Sequence, residues 1–305
     1  MTEALPVQPM PLAEPLAALG EIVAETREQP TASVLNRRAI RPGLLVASIV
    51  MIVLLAAALS PALIAPGDPL AADPRAAFLP PSFAHWLGTD ENGRDELTRL
   101  VHGTRASLLI GFSATFLIVA GGTALGLAAG FGSRLVDGAV SRLLDTMMAF
   151  PELLLPLVVI TFWGSGTLNG IIAIGVSSIP RAARLVRAQT LVVRRAAYVE
   201  AARTLGLSGA QILWRHVLPN ALRPVFVLAP IWVGTCIAMA AILSFLGFGA
   251  PPPAPEWGAM LAMGRNFLPV SWWLVAGPAG FITVTVLAIT TLGRALMLHG
   301  EGRTL

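Results

Sequence analysis

The chain has 305 residues, 55% of them hydrophobic and only 12% charged. That charged share is far below the roughly one-quarter typical of soluble domains, so a polytopic membrane protein is expected. The formal charge of +4 comes from Arg alone, since no Lys occurs, which removes a Walker A Lys, a Schiff-base nucleophile and a Ser-Lys dyad.

A lone cysteine, Cys236, excludes an internal disulfide and a Cys-based metal cluster, and it reads as a small buried hydrophobe. His85, His102, His216 and His299 have no paired spacing, so no metal site is expected. A basic balance can point to nucleic acid or membrane contact. In so apolar a chain it points to membrane loops and not to nucleic acid.

Residues 1–42 read as a cytoplasmic tail carrying Pro6, Pro9, Pro11, Pro15 and Pro30. Disorder is the favoured reading, with a short amphipathic helix over Leu12, Leu16, Leu19, Ile22 and Val23 as the alternative. Arg37, Arg38 and Arg41 precede a first membrane helix over residues 43–66. Its apolar run is long enough for a core of about 30 Å and longer than a signal-peptide segment. The basic flank puts the N-terminus inside. Residues 67–104 form an external polar segment. Asp90 and Asp95 beside Arg94 resemble a catalytic carboxylate pair, but an ion-paired loop that fixes the next helix is the simpler reading.

Residues 105–298 read as a core of five further spans. The second span, about 105–131, carries Gly122, Gly126 and Gly130 at four-residue spacing, a face for close helix packing. The third, about 139–163, holds Asp145 and Glu152, the two acids to consider for a solute pathway. Pro151-Glu152 also looks like a helix start, but the piece before Gly164 would be too short to cross, so a kinked span with Glu152 in its inner half is expected. The fourth, about 167–179, runs on into Arg-rich sequence. Between Pro180 and Pro224 stand Arg181, Arg184, Arg187, Arg194, Arg195, Arg203, Arg215 and Arg223, with Glu200 the sole acid. The positive-inside rule makes that stretch cytoplasmic, in agreement with six spans counted from an inside N-terminus.

Within it, residues 194–220 form a helix–Gly–helix knuckle. Ala196–Leu205 is rich in helix formers, Gly206 suits a left-handed C′ position, and Ser208 with Gln211 makes a capping box opening a second helix that Pro219 stops. The fifth and sixth spans are about 225–248 and 272–298. Between them a Pro run, residues 251–255, cannot be membrane helix, and Trp257, Trp272 and Trp273 suit the water–lipid interface. Residues 299–305 are a second cytoplasmic tail.

Glu200-Ala201-Ala202, then Gly206, then Leu218-Pro219 resembles the EAA loop of ABC importer permeases. The wording around His216, RH-V-LPNAL, is similar to the dipeptide, oligopeptide and nickel branch (DppC/OppC-like). Leu87-Gly88-Thr89-Asp90 with Gly93-Arg94-Asp95, and Leu243–Phe248 running into Pro251–Leu261, resemble two further stretches of the same branch. The likeness covers about Leu87 to Leu292. It departs at the C-terminal end and at Ala240-Ala241-Ile242, where the family often has an acid.

The resemblance implies an all-α membrane protein with the MetI-like permease fold and about six transmembrane helices, no catalytic residues, and no cofactor of its own. ATP and Mg would sit on two ATPase subunits. Tyr198, Glu200, Ala201, Ala202, Arg203, Gly206, Leu218 and Pro219 would couple to those ATPases. Pro252, Pro253, Glu256, Trp257 and Gly258 would face an extracytoplasmic solute-binding protein, and Asp90, Gly93, Arg94 and Asp95 would lead into the core. A second permease subunit would complete the pathway in a bacterial inner membrane, with both termini cytoplasmic and a peptide or nickel complex as cargo. A rival class, the gradient-driven secondary transporter, should show midplane acids, broken helices and an inverted repeat, and no clear repeat occurs here. An intramembrane enzyme would need a nucleophile–base pair or metal ligands within the spans, and no such set stands out.

Overall fold

The computed structural model describes residues 42–300, and among these the secondary structure is helical with no β-strand. The readings made for residues 1–41 and 301–305 lie outside the described residues. In chain order the main helices are α1 (Pro42–Leu59), α2 (Glu96–Phe131), α3 (Arg134–Met148), α4 (Leu154–Trp163) and α5 (Thr167–Arg194). They continue as α6 (Ala197–Thr204), α7 (Gly209–Phe245), α8 (Trp257–Gly264) and α9 (Trp273–Gly300). Helix is what lipid permits, since each backbone N–H and C=O then finds its partner within its own segment.

By length and composition α1, α2, α7 and α9 can cross a membrane. The other two expected spans take a different form. The third is not one kinked helix: it is split into α3 and the ten-residue α4 by Ala149–Leu153. Pro151 explains the break, because it has no N–H to donate and pushes Phe150 away from helical torsions. Along α3 only Leu144 is buried. The fourth expected span is the first part of α5, which continues without interruption into the Arg-rich sequence and has Pro180 buried in its middle.

Helix α2 begins at Glu96, inside the segment expected to be a polar loop. Asp95 caps it, accepting the Thr98 N–H at 2.8 Å on Oδ2. Its glycine row meets α5 as the spacing predicts. Gly122 lies against Ala182, Gly126 against Ala183 and Val186, and Gly130 against Thr190. A Cβ on Gly126 would sit 2.6 Å from the Ala183 carbonyl oxygen, so the two backbones approach at a distance only glycine allows. In lipid, close packing of this kind takes the place of a hydrophobic driving force between helices. Two apolar clusters fill the bundle: one joins α2, α4, α5 and α7 around Ala114, Ile160, Ile174 and Leu243, the other joins α1, α2, α7, α8 and α9 around Leu54, Leu100, Ile237 and Ile289. Cys236 is buried in the first, as expected for a small hydrophobe.

Candidate functional site

The knuckle forms at the Phe131 end of α2. Helix α6 ends in a Schellman motif: Gly206 at φ +82° donates its N–H to the Arg203 carbonyl at 3.0 Å, and Leu207 donates to Ala202 at 3.1 Å. Ser208 then opens α7 with a reciprocal capping box, its N–H donating to Gln211 Oε1 at 2.9 Å while Oγ accepts the Gln211 N–H at 3.4 Å. Val193, Val199, Ala202, Ile212 and Val217 pack into a separate small core, against which Leu127 and Phe131 of α2 also lie. In addition Arg194 Nη1 donates to the Gly130 carbonyl at 3.2 Å. The knuckle is thus anchored to α2.

Pro219 does not stop the second helix. Leu213–Val217 widens into a π turn, and the chain enters Leu218–Phe245 with Pro219 in the first turn, so α7 runs unbroken to Phe245. A proline that lacks a donor is tolerated in a first turn, and the π turn makes that position available. His216 has its ring 6.2 Å from that of Tyr198. Of the coupling residues expected from sequence, Ala202 is buried and Leu218 half-buried, whereas Tyr198, Glu200, Ala201, Arg203, Gly206 and Pro219 are exposed. Leu205 and Trp214 are also exposed there, large apolar side chains that the motif did not single out.

At the Glu96 end of α2 two loops knit together. Asp90 Oδ2 lies 3.7 Å from Arg94 Nη1 and 3.6 Å from Arg99 Nε, and its Oδ1 accepts the Asn92 and Arg94 N–H groups at 2.9 Å each. Arg99, almost fully buried, also donates to the carbonyls of Pro69 at 3.1 Å and Pro253 at 3.4 Å. Asp95, besides capping α2, pairs with His85 at 3.0 Å, and Gly93 turns at φ +73°. Asp90 and Asp95 are thus occupied as an ion-paired loop that fixes the start of α2.

The Pro-rich loop divides in two. Pro252 and Pro253 are exposed, but Glu256, Trp257 and Gly258 are buried. Trp257, expected at the water–lipid interface, is 1% exposed, with its indole N–H donating to the Leu100 carbonyl at 2.9 Å and its ring edge-on to Phe281. Trp273 is likewise buried and donates to Thr89 at 3.1 Å, so Trp272 is the member of the trio left outside. A Trp can be taken in when its one donor is satisfied, and both indoles meet that condition. Glu256 caps α8, accepting the Gly258 and Ala259 N–H groups at 2.8 Å each; burial pushes its carboxyl above the ordinary value while those bonds pull it back. These three residues therefore hold the loop from beneath.

The sequence reading missed a ladder of ion pairs between α5 and the α3–α4 region. Arg187 binds Asp137 through two bonds at 2.6 and 2.9 Å, Arg184 binds Asp145 at 2.5 Å, and Arg181 binds Glu152 at 2.6 Å. The Arg187 bonds hold the Asp137 carboxyl below the usual carboxylate range. The signal was present: three Arg at three-residue spacing share one helix face. Asp145 and Glu152 are thus both partnered, and Glu152 also borders a cavity of about 230 Å³ at the break between α3 and α4. Among the described residues no cluster of His, Cys, Asp and Glu could hold a metal ion.

A family profile described as the binding-protein-dependent transport system inner membrane component matches residues 122–304. The chain belongs to that family. Among similar proteins are the probable D,D-dipeptide transport system permease protein DdpC of Escherichia coli K12, 40% identical over 81% of this chain and 83% of its own, and the glutathione transport system permease protein GsiD of Escherichia coli O1:K1 / APEC, 42% identical over 71% of each. The di/tripeptide transport system permease protein DppC of Pseudomonas aeruginosa UCBPP-PA14 is 39% identical over 76% of this chain and 79% of its own. In fold the chain is similar to a subunit of the MetNI methionine ABC transporter in an inward-facing conformation, with a TM-score of 0.55 and 20% identity over 66% of this chain and 96% of that one. The permease is therefore an all-helical membrane protein with the MetI-like fold of an ABC importer subunit, and the secondary-transporter alternative falls away.

Proposed function

We propose that this permease forms half of a peptide pathway driven by ATP hydrolysed on other chains. Its knuckle would dock into ATPase subunits that hold ATP and Mg, a second permease subunit would complete the pathway, and a solute-binding protein would deliver cargo at the opposite end. The observation that carries this reading is the knuckle: a compact two-helix element with its own small core, fixed to α2, that presents Tyr198, Glu200, Arg203, Leu205 and Trp214 outward. An exposed apolar set beside charges suits a protein groove better than open water. The arginines Arg194, Arg195, Arg203 and Arg215 support a cytoplasmic position for this end, and the proposal puts both chain termini on the same side. Of the five residues expected to face a binding protein at the other end, Pro252 and Pro253 are exposed, beside the exposed Pro251 and Ala254. Peptide cargo follows from the names of the relatives.

The mechanism is a population shift. ATP binding closes the ATPases, and because the knuckle is bonded to α2 and continuous with α7, inward- and outward-open arrangements of the bundle respond to it. Co-purification with the ATPases, followed by ATP-dependent uptake of a dipeptide into proteoliposomes, tests the reading. Gradient-driven uptake by this chain alone, or labelling of Tyr198 and Arg203 from outside the cell, would overturn it.

A further inference from the structure

The Glu152–Arg181 pair shares with Arg184–Asp145 a single contact between half-exposed side chains, and in both respects it differs from Asp137–Arg187. Asp137–Arg187 is held by two bonds and its side chains are about one-third exposed, whereas Glu152 and Arg181 share one 2.6 Å contact and are 56% and 51% exposed. The pair also borders the cavity of about 230 Å³, together with the hydroxyls of Ser177 and Ser178.

Its depth can be read from the helix contacts, which take Arg181 out of the stretch that the charge count assigned to the cytoplasm. Ala182, the neighbour of Arg181, lies against Gly122, which is about 6 Å at 1.5 Å per residue from the centre of the apolar run 105–131 of α2. From the other side, the ten residues of α4 descend about 15 Å from Trp163, half of a core of about 30 Å. A half-exposed ion pair at that depth is untenable against lipid. Its open face must therefore meet a water-filled route or another subunit.

Resting on the peptide-permease reading, we infer that Glu152 and Arg181 form an exchangeable site for zwitterionic peptides at mid-depth. Glu152 receives the α-ammonium group and Arg181 the α-carboxylate, with Ser177 and Ser178 offering hydroxyls between them. The pair closes on itself when the site is empty, so neither charge is left bare, and a helix broken at Pro151 gives Glu152 a short backbone segment on which to move. A passing peptide exchanges one set of charge-assisted bonds for another, which keeps binding weak enough for release.

The test uses the complete transporter in nanodiscs without its binding protein and measures calorimetric binding of alanyl-alanine, N-acetyl-alanyl-alanine and alanyl-alanine amide. Glu152→Gln should weaken alanyl-alanine at least about tenfold, the worth of one charge-assisted bond, while leaving the N-acetylated form unchanged. Arg181→Gln should do the same with respect to the amide, and Asp137→Asn should change none of the three. The double variant, Glu152→Gln with Arg181→Gln, removes both charges without stranding either, and it should bind all three ligands alike. Variants that bind all three as the wild type does would overturn the site, as would a wild type that binds none. Uptake of alanyl-alanine with the binding protein and ATP is scored separately, and its absence would count against the peptide-permease reading itself.

Discussion

The amide of Leu207 reaches back across Gly206 to the carbonyl of Ala202 at 3.1 Å, and that bond sets the angle between the two helices of the knuckle. Gly206 has open space around it, so only its backbone torsion demands glycine. Gly206→Val should then cost about 1–2 kcal/mol of local strain and reorient α7's first turn against α6. The expected outcome is ATP hydrolysis that continues while uptake falls, with Gly206→Asn, which tolerates a left-handed torsion, retaining most of the coupling. Paired ATPase and uptake assays in proteoliposomes read both.

Gly126 fails for the opposite reason. Its torsion is ordinary helix, but Ala183 and Val186 occupy the place of any side chain. Gly126→Leu should push α2 from α5 and destabilise the bundle by about 1–3 kcal/mol or more. Gly138→Ala, on an open face of α3, should instead stabilise the helix by about 0.5–1 kcal/mol. Thermal unfolding in detergent separates the two.

At the opposite end, Trp257→Ala opens a hole at a junction of α2, α8 and α9 and should cost about 3–5 kcal/mol, read as loss of thermal stability. Pro252→Ala should leave stability within about 0.5 kcal/mol and instead reduce stimulation of ATP hydrolysis by the binding protein. If Trp257→Ala were as stable as the wild type, the indole would not be holding the loop.

Asp137 carries a pH signature. Its native carboxyl is held below the usual range by Arg187, so the folded state binds its proton less readily than the unfolded chain. The contribution is present above the unfolded value of about 4 and is lost as pH falls through the lower native value. Asp137→Asn should therefore lower Tm at pH 7, and the gap to the wild type should close in acid. A gap that stayed constant down to pH 3 would mean that the pair does not stabilise α3 on α5.

Local chemistry was readable in advance. Gly206, the Ser208–Gln211 box and the Gly122–Gly126–Gly130 row each follow from residues a few positions apart, and each formed as read. Long-range pairing was not. Nothing near Arg181 names Glu152 as its partner, nor does the stretch around Trp257 announce that Leu100 will accept its N–H. Pro219 misled because a stop signal is judged on a regular helix, and one wider turn at Leu213–Val217 made room for it. The split at Pro151 was visible as a tension between two readings, a helix start and a kink, and the chain takes the break, with α3 ending at Met148 and α4 starting at Leu154.

Helix α7 runs through 37 residues without a break, about 55 Å along its path, although the π turn at Leu213–Val217 and the internal Pro224 and Pro230 are places where it can bend. Were it to move as one body, a tilt of about 5° at its foot, where the knuckle stands, would sweep its far tip through about 5 Å. That tip carries Ser244 and Phe245, which adjoin the Pro-rich loop and Arg265. One continuous helix thus ties whatever grips the chain at its base to the shape of its opposite mouth, and Pro224 and Pro230 set how much of a tilt it passes on.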